Sequence, residues 1–138
     1  MQSETFIIVN PTARGGLAEK RWQHFEDDLK KNHIHYHAVI TEYQNHATEL
    51  IAQAVLSGYN RIGVCSGDGT LNEVLQGLFK EDHIISEDLK LIFFPAGSSC
   101  DFEKKFNSQR GWIQRIQADA TVSIDIIKVE CLDFSGNK

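Results

Sequence analysis

The sequence predicts an α/β domain: an open, mostly parallel sheet with helices on both faces. Three observations support this fold class. Short, wholly apolar runs, typical of strands buried on both faces, alternate along the chain with segments of helical periodicity. Each apolar run ends in a loop that is rich in polar residues or glycine. The length of 138 residues suits one ordinary domain with its own core. This alternation indicates a parallel sheet covered by helices.

The first half of the chain is predicted to contain two strands and two helices. The first strand covers residues 6–9, an apolar run that ends at Asn10-Pro11, and the second runs from about Tyr36 to Ile40. Between them, apolar residues at helical spacing predict a helix from about Leu17 to Lys31. The second strand is followed by another amphipathic helix, with Gly58 well suited to the position just after its last turn. The apolar positions of that helix are Ala47, Leu50, Ile51, Ala54 and Val55.

The second half is predicted to repeat this strand–loop–helix pattern. A third strand at residues 61–65 leads through the glycine-containing loop 66–70 into a helix. The apolar face of this helix consists of Leu71, Val74, Leu75 and Leu78. A fourth strand, residues 91–94, stops at Pro95 and enters the loop 96–101, and a short helix is predicted at residues 112–116.

The end of the chain has a different pattern. Val122, Ile124 and Ile126 alternate, and the phase then shifts, which predicts one long strand with a bulge and one solvated side. Residues 135–138 form a turn signal with no return strand after them. We therefore divide the chain into an α/β domain, residues 1–120, and a strand, residues 121–138, that crosses into a second β-rich domain absent from this chain. Because its partner strand is missing, this exposed apolar segment is expected either to be disordered in the chain alone or to pair with a second copy as a homodimer.

Composition limits the classes of partner and compartment. The chain is 41% hydrophobic and 24% charged, which is typical of a soluble globular protein. Its net charge of −5 argues against nucleic acid as the main partner. Three cysteines without metal-site spacing, and an N-terminus without a signal-peptide pattern, indicate reduced thiols and a cytoplasmic location. No apolar run approaches membrane-spanning length, so any membrane contact is expected at the surface.

The strand ends predict a phosphate site. The loops 10–16, 41–45, 66–70 and 97–101 each follow a strand, and the carboxyl ends of parallel strands meet at one edge of the sheet. Gly67 and Gly69 allow close backbone approach, and the helix that follows offers unpaired N–H groups to an anion. Asp68 is a candidate to hold Mg²⁺, directly or through water, or to accept a proton from a substrate hydroxyl. The alternative is that Asp68 and Thr70 only cap the helix.

Other motifs are absent or weaker. A Walker A sequence is absent, and Asn72 occupies the position of the third glycine in the dinucleotide-binding fingerprint. Arg14 is a candidate phosphate clamp, with a solvated side chain as the alternative. Three alternating histidines could share a strand face and bind a metal, but they lack a fourth ligand, so an exposed edge is the preferred interpretation. They are His33, His35 and His37.

Four motifs, in this order along the chain, resemble the diacylglycerol kinase catalytic-domain family, which includes bacterial diacylglycerol and lipid kinases and eukaryotic sphingosine and ceramide kinases. The resemblance covers residues 6–129. The motifs are Asn10-Pro11-x-x-x-Gly15, Thr41, Ser66-Gly67-Asp68-Gly69-Thr70-Leu71-Asn72-Glu73-Val74 and Pro95-Ala96-Gly97-Ser98-x-x-Asp101-Phe102. Ser66, Ser98 and Cys100 depart from the commonest bacterial spelling, and this mixture does not assign a lipid.

The resemblance implies that ATP binds between this domain and a second, β-rich domain. It implies a catalytic role for Asp68 and a lipid contact for Asp101. It also implies that a structural Mg²⁺ site and a proton-accepting Asp lie in the second domain, outside these 138 residues. Glu73 could reach the ribose or only balance the helix dipole. The implied nucleotide contacts are Asn10, Pro11, Thr12, Ala13, Arg14, Thr41, Gly67, Asp68, Gly69, Thr70, Leu71, Asn72, Glu73 and Ser98.

The functional hypothesis is therefore the ATP-binding N-terminal domain of a Mg²⁺-dependent lipid kinase. Such an enzyme transfers the γ-phosphoryl group of ATP to the hydroxyl of a diacylglycerol- or sphingosine-like lipid, at the membrane surface. The chain by itself is expected to be inactive. Two alternatives stay open: an enzyme similar to NAD kinases, which share the Gly-Asp-Gly-Thr element, and a non-catalytic module that binds nucleotide or lipid.

Overall fold

A computed structural model describes residues 4–97, 100–104, 112–117, 121 and 123–130 of the chain. The described residues form six strands and five α-helices, with a 3-10 turn at Ala13–Gly16 before the first helix. The strands are β1 (Thr5–Val9), β2 (Tyr36–Ile40), β3 (Arg61–Ser66), β4 (Phe79–Lys80), β5 (His83–Ile84) and β6 (Lys90–Pro95). The helices are α1 (Leu17–Lys31), α2 (His46–Leu56), α3 (Asp68–Gly77), α4 (Asp101–Lys104) and α5 (Trp112–Gln117).

The main sheet has four parallel strands in the order β2-β1-β3-β6. Its register places Val9 of β1 beside Ile40 of β2 and beside Cys65 of β3, and Ser66 of β3 beside Pro95 of β6. The carboxyl ends of the four strands therefore lie level along one edge of the sheet. The predicted fold class, an open and mostly parallel sheet with helices on both faces, is confirmed.

Helices cover both faces of the sheet, which explains why β1 is apolar throughout. Phe6 and Ile8 face one layer, together with α2 and α3, whereas Ile7 and Val9 face the other layer, together with α1 and Ile116 of α5. All five residues of β1 are buried. Burying both faces of the strand removes its apolar surface from water on each side, and this is the main source of stability in such sheets.

The predicted limits of α1 and β2 coincide with those observed, and α2 ends close to its predicted stop. The α2 helix ends at Leu56, and Gly58 adopts the left-handed backbone (φ 92°) that commonly terminates a helix. Helices α2 and α3 then cross very closely. A Cβ added to Gly77 would lie 2.3 Å from the Thr48 carbonyl oxygen, so the crossing requires glycine at this position.

Two local features differ from the predictions. Phe79–Lys80 and His83–Ile84 form a small antiparallel hairpin where only a polar connection was predicted. Its turn residues, Glu81 and Asp82, have positive φ without the Asn-Gly or Asp-Gly pair that indicates such a turn. Strand β6 (Lys90–Pro95) also extends one residue beyond the predicted range at each end and includes Pro95.

The predicted terminal strand is not formed in the described part of the tail. Residues 123–130 have no regular secondary structure and are exposed. A strand needs the backbone groups of a neighbouring strand, and the described residues provide none at this position. Lys128 instead pairs with Asp82 of the hairpin turn and with Glu130. The turn signal at residues 135–138 lies outside the described residues, and the crossing into a second domain remains a prediction.

Candidate functional site

The site lies where the order of the sheet reverses. Strands β1 and β3 are neighbours, yet α1 follows β1 on one face of the sheet and α3 follows β3 on the other. Their carboxyl ends therefore border an open crevice, the usual position of a ligand in sheets of this class. Backbone hydrogen bonds join the strand ends side by side: Thr41 N–H donates to Val9 (2.8 Å), Asn10 N–H to Cys65 (3.1 Å) and Ala96 N–H to Ser66 (2.9 Å). The predicted convergence of the four loops is observed where the structure describes them.

A side-chain network joins the first loop to α3. Asn10 Nδ2 donates to Thr70 Oγ1 (2.9 Å), and the buried Ser66 hydroxyl donates to the same oxygen (2.8 Å). At its other end, Asn10 Oδ1 accepts from both the N–H (3.1 Å) and the hydroxyl (2.8 Å) of Thr12. The polar groups of Asn10, Thr12, Ser66 and Thr70 are thus largely used within the protein. Their position indicates that they fix the loop relative to the helix.

Asp68 is the first residue of α3, but it does not cap that helix. The N-cap residue is Gly67, and no side-chain capping bond is formed there. Thr70 likewise bonds to Asn10 and Ser66, so the capping alternative for Asp68 and Thr70 is wrong. Asp68 Oδ2 accepts the backbone N–H of Asp101 at 2.9 Å. This bond connects the start of α3 to the loop after β6, two segments that lie 33 residues apart in sequence.

Two glycines bring the loops after β3 and β6 into direct backbone contact. A Cβ added to Gly97 would lie 2.3 Å from Gly67 Cα, and one added to Gly67 would lie 3.0 Å from Gly97 Cα. Cys100, which has a positive φ of 49°, closes this loop with its buried thiol 3.5 Å from the Gly97 carbonyl oxygen. Sequence reasoning missed this contact. The only available signal was that both loops contain glycine.

Some predicted residues remain open to a ligand. A Cβ added to Gly69 would meet no atom within 4 Å, so the first turn of α3 is unobstructed there. Asn72 is exposed, and Thr41 and Glu73 are half-buried. Among the residues that the structure describes, the side chains of these three make no hydrogen bond or ion pair. They border the crevice with polar groups that are available to a ligand. The first-turn N–H groups of α3, which have no partner within the helix, lie next to them.

The remaining predicted residues take varied positions. Pro11 is half-buried in the first loop, and Ala13 and the backbone of Arg14 belong to the 3-10 turn. Leu71 is 4% exposed and packs in the core, so only its backbone could face a ligand. Asp101 is exposed and pairs with Lys104 at 3.3 Å. Ser98 and the Arg14 side chain lie outside what the structure describes.

Two groups near the site were not identified from the sequence. Arg21, on the exposed side of α1, donates from a guanidinium nitrogen to the Pro95 carbonyl oxygen at 2.9 Å and brings a cation to the end of β6. No spacing signal distinguishes it from other surface arginines. Cys65 lies fully buried under the site, and burial raises the pKa of its thiol to about 12, so the group is inert at neutral pH.

The described residues contain no group of three or more side chains suited to binding a metal. The alternating histidines do not form such a site: His37 stacks on Phe6 with ring centroids 5.4 Å apart. Within the described ranges, no helix has both the length and the apolarity that crossing a membrane requires.

Comparison with known proteins is consistent with this geometry. The family described as the diacylglycerol kinase catalytic domain matches residues 4–129. The chain is 35% identical over 113 residues to the Bacillus subtilis protein named "Putative lipid kinase YtlR". It is 28% identical over 123 residues to human sphingosine kinase 1. These alignments cover 78% and 88% of this chain, but only 34% and 32% of those proteins.

The fold is similar to a solved structure as well. A crystal structure of a diacylglycerol kinase from Bacillus anthracis strain Sterne aligns with a TM-score of 0.60 and 26% sequence identity. The alignment covers 73% of this chain and 35% of that one. The chain thus spans about a third of the length of the curated relatives and the solved structure that it matches.

Proposed function

Because the chain belongs to the diacylglycerol kinase catalytic domain family, we propose that it forms the ATP-binding domain of a lipid kinase. The complete enzyme transfers the γ-phosphoryl group of ATP to the hydroxyl of a diacylglycerol- or sphingosine-like lipid. One observation carries this proposal beyond family membership. The loops after β1, β3 and β6 are held together at the start of α3. The contacts are the Asn10–Thr70 bond, the Gly67–Gly97 backbone contact and the Asp68–Asp101 bond.

Nucleotide binding would use the groups that the protein leaves open. The first-turn N–H groups of α3 would stabilise phosphate oxygens, and the absence of a side chain at Gly69 lets an anion approach the backbone closely. Thr41, at the end of β2, and Asn72 and Glu73, on α3, would contact the ribose, base or phosphates with their unpaired polar groups. Asn10 and Thr70 would act as positioning residues, because their side chains hold the loop and helix together.

We propose that Mg²⁺ reaches this site together with the nucleotide and is not a resident ion of the domain. Mg²⁺ commonly enters kinase sites with the nucleotide, held by one or two carboxylates, substrate phosphates and water. Asp68 and Asp101 are two of the carboxylates at the crevice, and the 2.9 Å bond between Asp68 Oδ2 and the Asp101 backbone N–H keeps these two residues adjacent. When bound, Mg-ATP supplies the phosphoryl group and the positive charge that offsets the developing negative charge. We propose that Asp68 carries a charge-dependent role there in addition to positioning Asp101.

The test is phosphate transfer by the complete protein that carries this chain. Radiolabelled ATP would be offered with vesicles containing diacylglycerol, sphingosine, ceramide or phosphatidylglycerol, and separately with NAD. Label on one of the lipids, and none on NAD, is the expected result. Label on NAD alone would favour the NAD kinase alternative. ATP binding with no transfer to any acceptor would favour a non-catalytic binding module.

We propose two further partners: a membrane surface for the complete protein, and a second copy of this chain for the chain by itself. A kinase acting on a lipid must visit the membrane surface, which vesicle sedimentation would test. The tail exposes apolar residues, among them Ile127 (84% exposed) and Val129 (76% exposed), which is the basis for the proposed homodimer. Light scattering that finds only monomer would remove that second proposal.

A further inference from the structure

An exposed pair of stacked rings lies just beyond the end of β2. The rings of Tyr43 and His46 have centroids 4.2 Å apart and are nearly parallel, at 14°. Tyr43 is 53% exposed, although aromatic rings are usually buried when a core is within reach. The stack therefore presents a flat apolar face to solvent.

Hydrogen bonds hold both rings in place. The Tyr43 hydroxyl donates to Glu49 Oε2 at 2.6 Å, and the backbone N–H of Glu42 donates to His46 Nδ1 at 3.0 Å. Asn45, with a positive φ of 66°, turns the chain between the two rings. An aromatic surface fixed in this way loses little rotamer entropy when a second ring packs on it. The pair is pre-organised for a planar ligand.

The stack borders the crevice already described. Thr41, two residues before Tyr43, pairs through its backbone N–H with Val9 at the end of β1. The Thr48 hydroxyl, two residues after His46, donates to the Glu73 carbonyl oxygen at 2.8 Å and so holds the start of α2 against α3. Strands β2 and β3 are two positions apart in the sheet, which is about 10 Å at the usual strand spacing. A nucleotide whose phosphates lie at the start of α3 could therefore extend its base to this rim.

We infer that the Tyr43–His46 pair is the stacking surface for the base of the nucleotide, with Tyr43 as the contacting ring. This inference rests on the proposed function, and it adds the residue that recognises the base. Thr41 lies two residues before Tyr43, and its hydroxyl bonds to none of the described residues, so it would be available to the edge of the base. Stacking on an aromatic ring accepts any base, so the pair contributes affinity, and polar neighbours set selectivity.

The test compares three substitutions at one position in the complete protein. Tyr43→Ala removes the ring, Tyr43→Leu keeps apolar bulk without it, and Tyr43→Phe keeps the ring but removes the bond to Glu49. Loss of a base-stacking ring commonly weakens binding by about tenfold. We expect Tyr43→Ala and Tyr43→Leu to weaken ATP binding by about that factor, and Tyr43→Phe to stay within about twofold of wild type. Calorimetric titration with Mg-ATP gives these values, and circular dichroism confirms folding.

A second measurement separates stacking from a general effect on the loop. On wild-type protein, the Tyr43 ring protons should shift in the NMR spectrum when ATP is added, because the base ring current acts on them. Equal affinities for all four proteins, or ring protons that ATP leaves unshifted, would overturn the inference while leaving the proposed function intact. Weaker binding in Tyr43→Phe equal to that in Tyr43→Ala would also overturn it, because the tether to Glu49 would then be the cause. A wild-type protein that binds no ATP would instead overturn the proposed function itself.

Discussion

Replacing Gly97 with alanine should damage the site more than the fold. The added Cβ would lie 2.3 Å from Gly67 Cα and 2.9 Å from Gly67 N. Two carbon atoms pack best at about 3.5–4.0 Å, so the loops after β3 and β6 would have to separate by about 1.2–1.7 Å. Both partners are backbone, so no side-chain rotation can relieve the overlap. Overpacking of this kind costs about 1–3 kcal/mol in the free energy of unfolding.

The same displacement moves the start of α3 relative to Asp101. Misplacing reacting groups by about 1 Å can lower the rate about a hundredfold, and we expect a loss of that order in phosphate transfer by Gly97→Ala. Gly58→Ala is the matched control. It forces alanine into a left-handed backbone (φ 92°) in the connection after α2, with no atom within 4 Å of the new Cβ, and costs about 1–2 kcal/mol.

Urea unfolding and a transfer assay on the two complete proteins, at a temperature where both are folded, decide the matter. We expect the two variants to lose comparable free energy of unfolding. Only Gly97→Ala should lose phosphate-transfer activity. If Gly58→Ala lost as much activity, general instability would be the cause. If Gly97→Ala kept wild-type stability and activity, the two loops would not be in the contact described above.

Three further predictions concern charge, hydroxyl contacts and pH. Asp68→Ala and Asp68→Asn should each reduce phosphate transfer by about a hundredfold or more, since both remove the carboxylate charge; full activity in Asp68→Asn, whose amide oxygen can still accept the Asp101 N–H, would leave Asp68 only a positioning role. Thr41→Ala and Ser98→Ala should each weaken ATP binding by about 0.5–1.5 kcal/mol in calorimetric titration. Unchanged ATP affinity in both variants would mean that these hydroxyls only cap their own loops. Because burial raises the Cys65 pKa to about 12 from a reference value of 9.0, the unfolded thiol ionises first as pH rises. The free energy of unfolding should therefore be unaffected by Cys65 below pH 9.0 and fall between there and about 12, by at most about 1.4 kcal/mol per pH unit. Urea unfolding at pH 8 and pH 10 should show a smaller decrease for Cys65→Ala, and equal decreases would show that the thiol is not protected in the folded state.

The sequence was sufficient for features set by local pattern. Helix α1 spans Leu17–Lys31 as predicted, because its apolar face has strong periodicity and two glycines with positive φ precede it. The convergence of the loops also follows from pattern, since parallel strands necessarily bring their carboxyl ends to one edge. The spacing of apolar residues and the parallel direction of the strands can both be deduced before any tertiary contact is known.

Features that depend on contacts between distant segments could not be predicted. The Asn10–Thr70 bond joins residues 60 positions apart, and nothing in either loop indicates the partner. The hairpin of β4 and β5 has two residues in each strand, too few to show alternation. The terminal strand, which the described residues of this chain do not form, is the opposite case. Its alternation is clear, but a strand forms only beside a partner, and alternation does not provide one.

The loop motifs combine two kinds of residue that sequence comparison alone cannot separate. Gly67 and Gly97 are glycine because their backbones touch, so a side chain at either position is excluded by the protein itself. Gly69, only two residues from Gly67, has empty space where its side chain would be and no positive φ. Alanine at that helical position would be expected to stabilise α3 by up to about 1 kcal/mol. Neither packing nor backbone geometry in the described residues therefore requires glycine at position 69, which agrees with our proposal that a nucleotide approaches the first turn of α3 closely. The same reasoning separates Asn10 and Thr70, whose polar groups bond to each other, from Thr41 and Glu73, whose side chains bond to none of the described residues and are proposed to contact the nucleotide.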